Sequence, residues 1–153
     1  MVSNEEVAEQ FDELADRMLL IDSSWFKVSA YRRAAKTLGE LEEPVEEIAA
    51  RGQLKKLPGV GDAIRDKIEA YLATGHIPLL ERLRHGRGSE LLPVMRETGL
   101  TARSVRVLAG GEMQIDSLER LREELVNGDL EASGAIDEEE IQKIRQWAAV
   151  TSV

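Results

Sequence analysis

The chain contains no cysteine, which excludes a disulfide, a thiolate nucleophile and a cysteine-ligated metal. It has only two histidines, His76 and His85, too few for a histidine-rich metal site. Neither a metal nor a cofactor is expected. No apolar run approaches the roughly 20 residues that a membrane-spanning helix needs, so no membrane contact is expected. The first residues, from Met1 to Ala8, read as acidic and helical rather than as a basic, apolar secretory leader. A cytoplasmic location is the resulting expectation. Convincing strand alternation is also missing.

Positive charge is scarce as well. The formal net charge is −9, which argues against nucleic-acid binding as a property of the whole chain. The distribution is uneven, however. Residues 24–36 carry Lys27, Arg32, Arg33 and Lys36 and no acid. Residues 51–67 carry Arg51, Lys55, Lys56, Arg65 and Lys67 against only Asp62 and Asp66. The acids gather at Glu42, Glu43, Glu46 and Glu47, and again at Glu138, Glu139 and Glu140. A local basic patch on an acidic body predicts binding that is weak and sensitive to salt.

What is present is helix. Ser3 and Glu6 have the spacing of a capping box, and Val7, Phe11, Leu14 and Met18 stripe a helix over about 4–20. A second helix over 25–39 carries Trp25, Phe26, Ala30, Ala34 and Leu38. Pro44 suits the first turn of a short helix ending near Gly52. Leu57-Pro58-Gly59-Val60-Gly61 then breaks the pattern, because Pro and Gly this close end a helix and force a turn. Asp62 stands as the expected N-cap of the next helix, which carries Ile64, Ile68, Tyr71 and Leu72 and stops at Gly75. Gly59 and Gly61 free the backbone at this turn, and the N–H groups that a helix start leaves open suit a phosphate oxygen. A further helix begins near Pro78.

The glycines of residues 85–89 mark a linker between modules 1–86 and 87–153. The second module shows helical patterns at 90–97, 101–109, 116–127 and 137–149, with Asp116 and Glu119 as a cap-like start. Residues 97–105 keep Gly99 and Leu100 but place Thr101 where a second glycine is expected. Residues 133–141 keep Gly134 and then run into four acids. These two stretches read as scaffold or as a protein-binding face. The architecture expected is all-α: a small helical bundle with a helix-hairpin-helix motif, followed by a second helical module.

Lys67 falls at the border of the apolar face made by Ile64, Ile68 and Tyr71. Its stem can lie on apolar surface with the amine at the edge. Partial burial and neighbouring lysines such as Lys27, Lys55 and Lys56 would lower its pKa, and a neutral amine can attack an aldehyde. Lys27 and Tyr31 lie four residues apart on one side of their helix.

The stretch from Lys55 to Gly61, the following Ile64 to Ile68, the segment Ala30 to Ala35 and Tyr71 to Gly75 together resemble the amino-terminal lyase domain of the family X DNA polymerases. The resemblance covers about residues 4–86 and continues weakly beyond. It implies binding to gapped, nicked or 5′-phosphate DNA ends in repair. It also implies that Lys67 forms a Schiff base with a 5′-deoxyribose phosphate, that Lys27 and Lys55 hold phosphate, and that Tyr31 orients the sugar or shuttles a proton. Lys56, Gly59, Val60 and Gly61 would contact the DNA backbone, and Phe26 would stack on a base where some members carry histidine. Ala63 departs from the pattern at a pocket position where a lysine often sits, and Asp66 keeps an acid beside Lys67. His76, Arg82 and Arg84 read either as ordinary surface or as groups reaching the same DNA end. The family's polymerase palm has no counterpart in these 153 residues, which contain no Asp-Xaa-Asp pair, so polymerase activity is not expected of them. Three readings stay open: a DNA-binding module without catalysis, the same module with lyase activity, and a protein-interaction adaptor acting through the acidic second half.

Overall fold

A computed structural model describes residues 1–151; residues 152 and 153, the end of the expected second module, lie outside the described residues. The architecture is all-α, with no strand among the described residues. None of its helices is long and apolar enough to cross a membrane. Contacts divide the chain into two compact units, Met1–Leu83 and the remainder from Arg84 onward.

In the first unit, α1 (Asn4–Leu20) and α2 (Trp25–Glu40) form a helical pair. The short α3 (Val45–Ala50) and a 3₁₀ turn at Leu54–Lys56 lead to α4 (Asp62–Thr74) and α5 (Pro78–Arg84). Helical periodicity explains the core. Val7, Phe11, Leu14 and Met18 from α1 meet Val28, Tyr31, Ala34 and Leu38 from α2, and Ile64, Ile68 and Tyr71 close the bundle from α4. Phe11 and Leu14 are fully buried, each worth about 1.5–3 kcal/mol by transfer from water. Asn4 ties the start of α1 to the loop ahead of α3. Its amide donates to the Leu41 and Glu43 carbonyls, and its oxygen accepts from the Val45 N–H at 2.7 Å.

One local expectation fails here, and α2 divides the apolar residues that it carries. Trp25 and Phe26 are 73% and 86% exposed, and Ala30 is exposed with them, while Ala34 and Leu38 are buried. The buried face of α2 is made by Val28, Tyr31, Ala34, Ala35 and Leu38, and the first turn, residues 25–27, is exposed. Ser3 does cap α1 by accepting from the Glu6 N–H, but the Glu6 carboxylate accepts instead from the Tyr71 hydroxyl at 2.6 Å. The reciprocal half of the capping box is exchanged for a bond between α1 and α4.

The second unit holds a 3₁₀ turn at Ser89–Leu91 and five helices among the described residues. They are α6 (Leu92–Thr98), α7 (Ala102–Ala109), α8 (Leu118–Asn127), α9 (Asp129–Ser133) and α10 (Glu138–Thr151). Leu91, Val94, Leu108, Ile115, Leu121, Leu130 and Ile144 are buried within it. Ser117, not Asp116, caps α8 by accepting from the Arg120 N–H. The short α9 has no counterpart in the sequence reading.

Candidate nucleic-acid interface

The turn between α3 and α4 is fixed by its sequence. Leu54 anchors the 3₁₀ turn in the core, and Val60 is buried from the far side. Between them Gly59 takes φ +78°, a left-handed conformation that suits glycine. A Cβ on Gly59 would also lie 2.9 Å from Cγ and Cδ of Arg33. Gly61 differs. Its φ of −97° and ψ of −166° are extended, and a Cβ there would meet nothing within 4 Å. Only Gly59 is required by the turn.

Gly61 is the N-cap of α4, and Asp62 is the first helical residue, one place beyond its expected role. The first backbone bond of the helix runs from the Arg65 N–H to the Gly61 carbonyl at 2.9 Å. No side chain caps the N–H groups ahead of it, because glycine at the cap position offers no oxygen. These donors sit at the positive end of a 13-residue helix. The Asp62 carboxylate turns sideways to Lys55 Nζ at 2.6 Å and to the Arg65 guanidinium at 3.4 Å. The hydrogen bond from Lys55 holds that carboxyl below its usual range. Lys55 is therefore not a free cation, whereas Lys56 is exposed and has no ion-pair partner among the described residues.

Lys27, Tyr31 and Lys67 come together beside α4. The Lys67 ammonium lies 5.7 Å from the Tyr31 ring centroid, within reach of a cation–π contact. Partial burial depresses the Lys67 pKa, Asp66 opposes that shift, and Lys27 and Arg82 reinforce it. The ring face also favours the charged amine, so it acts with Asp66. Burial pushes the Tyr31 hydroxyl above its ordinary value. That phenol is suited to donating a hydrogen bond rather than to ionising. Lys27 and Phe26 are exposed on the first turn of α2, which carries no acid.

Residues 2–77 are a helix-hairpin-helix domain. The match covers the first unit up to the start of α5 and takes in the Gly59 turn. A helix-hairpin-helix domain suggests nucleic-acid contact without specifying which nucleic acid or what chemistry. Just beyond this domain, Arg82 as a neighbour of Lys67 was not readable from spacing, since it enters from α5. The basic run of α2 was readable but not its division. Arg32 is committed to Asp16 and Asp12, while Arg33 and Lys36 have no ion-pair partner among the described residues.

Among the described residues, no group of three or more His, Asp or Glu is placed to hold a metal ion.

Proposed function

We propose that the helix-hairpin-helix domain binds the DNA backbone without reading sequence, at gaps, nicks or 5′-phosphate ends. The observation that carries this reading is the uncapped start of α4 behind Gly59. Its first backbone donors lack a side-chain oxygen, which suits a phosphate. Lys56 and Lys27 add charge, and the exposed Phe26 ring is available to stack on an unpaired base.

A second step rests on Lys67, whose depressed pKa and place over Tyr31 support Schiff-base chemistry. The amine attacks C1′ of the ring-opened 5′-deoxyribose phosphate, and water leaves as the imine forms. Solvent then takes the C2′ proton, the electron pair moves toward the imine, and the C3′–O bond breaks. The DNA departs with a 5′-phosphate, and water hydrolyses the unsaturated sugar from the lysine. Tyr31 orients the sugar by donation. The adaptor reading is supported by the exposed Glu138 and Glu139 at the start of α10, which would repel a phosphate and suit a basic protein surface.

Titration of a labelled gapped duplex at low salt and at about 0.2 M salt tests the binding, which should fall steeply as counterion release predicts. Absence of binding at low salt would sink it. Borohydride should trap a covalent adduct with a 5′-deoxyribose phosphate substrate, and Lys67→Ala should abolish the adduct while circular dichroism is unchanged. Because the amine is depressed, trapping should saturate at lower pH than an ordinary lysine allows. If Lys67→Ala traps as well as the wild type, another amine is responsible.

A further inference from the structure

A concavity of about 400 Å³ lies where α2 passes the hairpin, lined by Arg33, Lys36, Thr37, Glu40, Leu41 and Pro58. Its wall is fixed, because the Thr37 hydroxyl donates to the Pro58 carbonyl at 2.8 Å. The Arg33 stem crosses the hairpin against Gly59, where any Cβ would collide with it. Arg33 and Lys36 form no ion pair among the described residues, not even with Glu40 four positions along the helix from Lys36. Two cations without carboxylate partners, in one fixed concavity, sit beside a backbone turn whose donors are also open.

We propose that this concavity holds a second, internal phosphodiester of the strand whose neighbouring phosphate rests on the start of α4. The inference rests on the nucleic-acid reading given above. Pro58 in the wall and Gly61 at the cap are three residues apart, and three residues span at most about 10 Å. The two places are therefore close enough to take neighbouring phosphates of one backbone. The Arg33 guanidinium offers a planar fork for two phosphate oxygens, and Lys36 adds a point charge. Leu41 and Pro58 supply an apolar floor for a deoxyribose face. Glu40 stands on the same rim as a like charge to the ligand, so the grip needs both cations.

The test is a salt titration of the full chain with a labelled gapped duplex, with and without a 5′-phosphate. Lys36→Gln should weaken binding of both substrates and reduce the slope of log K against log salt by about one, as the loss of one phosphate contact does. Arg33→Gln should do the same. Lys36 is exposed, so its variant stays informative if Arg33→Gln disturbs the hairpin. Glu40→Gln should tighten binding. Wild-type binding with unchanged slope and affinity in Lys36→Gln would overturn this site while leaving the nucleic-acid reading intact. An effect confined to the 5′-phosphorylated duplex would overturn the assignment to an internal phosphodiester. No binding by the wild type would remove the nucleic-acid reading itself.

Discussion

The turn at Gly59-Val60-Gly61 and the turn at Gly99-Leu100-Thr101 have the same backbone logic. Each begins with a left-handed glycine at φ +78°. Each then buries one apolar side chain, Val60 or Leu100, both 5% exposed. Each enters a helix through an extended cap residue, at φ −97° for Gly61 and φ −71° for Thr101. The difference is one oxygen. Thr101 accepts from the Ser104 N–H at 3.1 Å, so α7 satisfies its own first turn. Gly61 has no such oxygen, and α4 starts without a side-chain cap. A third turn, after Gly134, goes further: the Asp137 carboxylate accepts from the Glu140 N–H at 2.8 Å and adds negative charge. A preceding glycine does not by itself leave a helix start open to an anion; of these three starts only that of α4 lacks a side-chain cap, the feature on which the proposed function rests.

Substitutions at three positions break or sharpen this contrast. The largest effect is expected at Gly59. Gly59→Val should destabilise the first unit by about 2 kcal/mol, since a left-handed backbone is strained for a β-branched residue. It should also displace Arg33. Gly61→Val should be close to neutral, because that backbone is extended and the space is open. Amide hydrogen exchange followed unit by unit would show the difference, and equal losses at the two glycines would contradict it. A middle effect belongs to Thr101→Ala, which should cost the second unit about 1 kcal/mol through the lost cap. Thr101→Ser should restore most of it; a null result in urea titration monitored at Trp147 would mean that water caps α7 equally well. The smallest change in stability is the most informative. Gly61→Ser should gain a few tenths of a kcal/mol and yet weaken DNA binding, because the new hydroxyl occupies the phosphate's place. Improved stability with undiminished affinity would show that the α4 start is not the contact.

Much of this was legible in the sequence because it is local. The spans of α1, α2, α4 and α10 follow from 3.6-residue periodicity and from stop signals such as Gly75. Lys27 and Tyr31 share a side by spacing, and Lys67 falls at the edge of an apolar face by rotation. The remainder depends on neighbours distant in the chain. Nothing near Asp62 says that it will pair with Lys55 instead of capping. Trp25 and Phe26 have the composition of core residues, yet both are exposed, and composition alone does not show it. The split of the α2 cations, with Arg32 held by Asp16 and Arg33 laid on Gly59, comes from two different packing partners. The five residues of α9 are too few for periodicity to register.

The bond from Tyr71 to Glu6 joins residues 65 apart and makes α1 and α4 a clasp around the unit. The α1–α2 pair is local and can form early, whereas this closure must wait for the chain to return. Once made, it couples the hairpin's helix to the beginning of the chain. Under the proposed function, a strand seated on α4 would also slow the opening of α1, and the amides of Val7 to Phe11 would report occupancy at a surface they never touch.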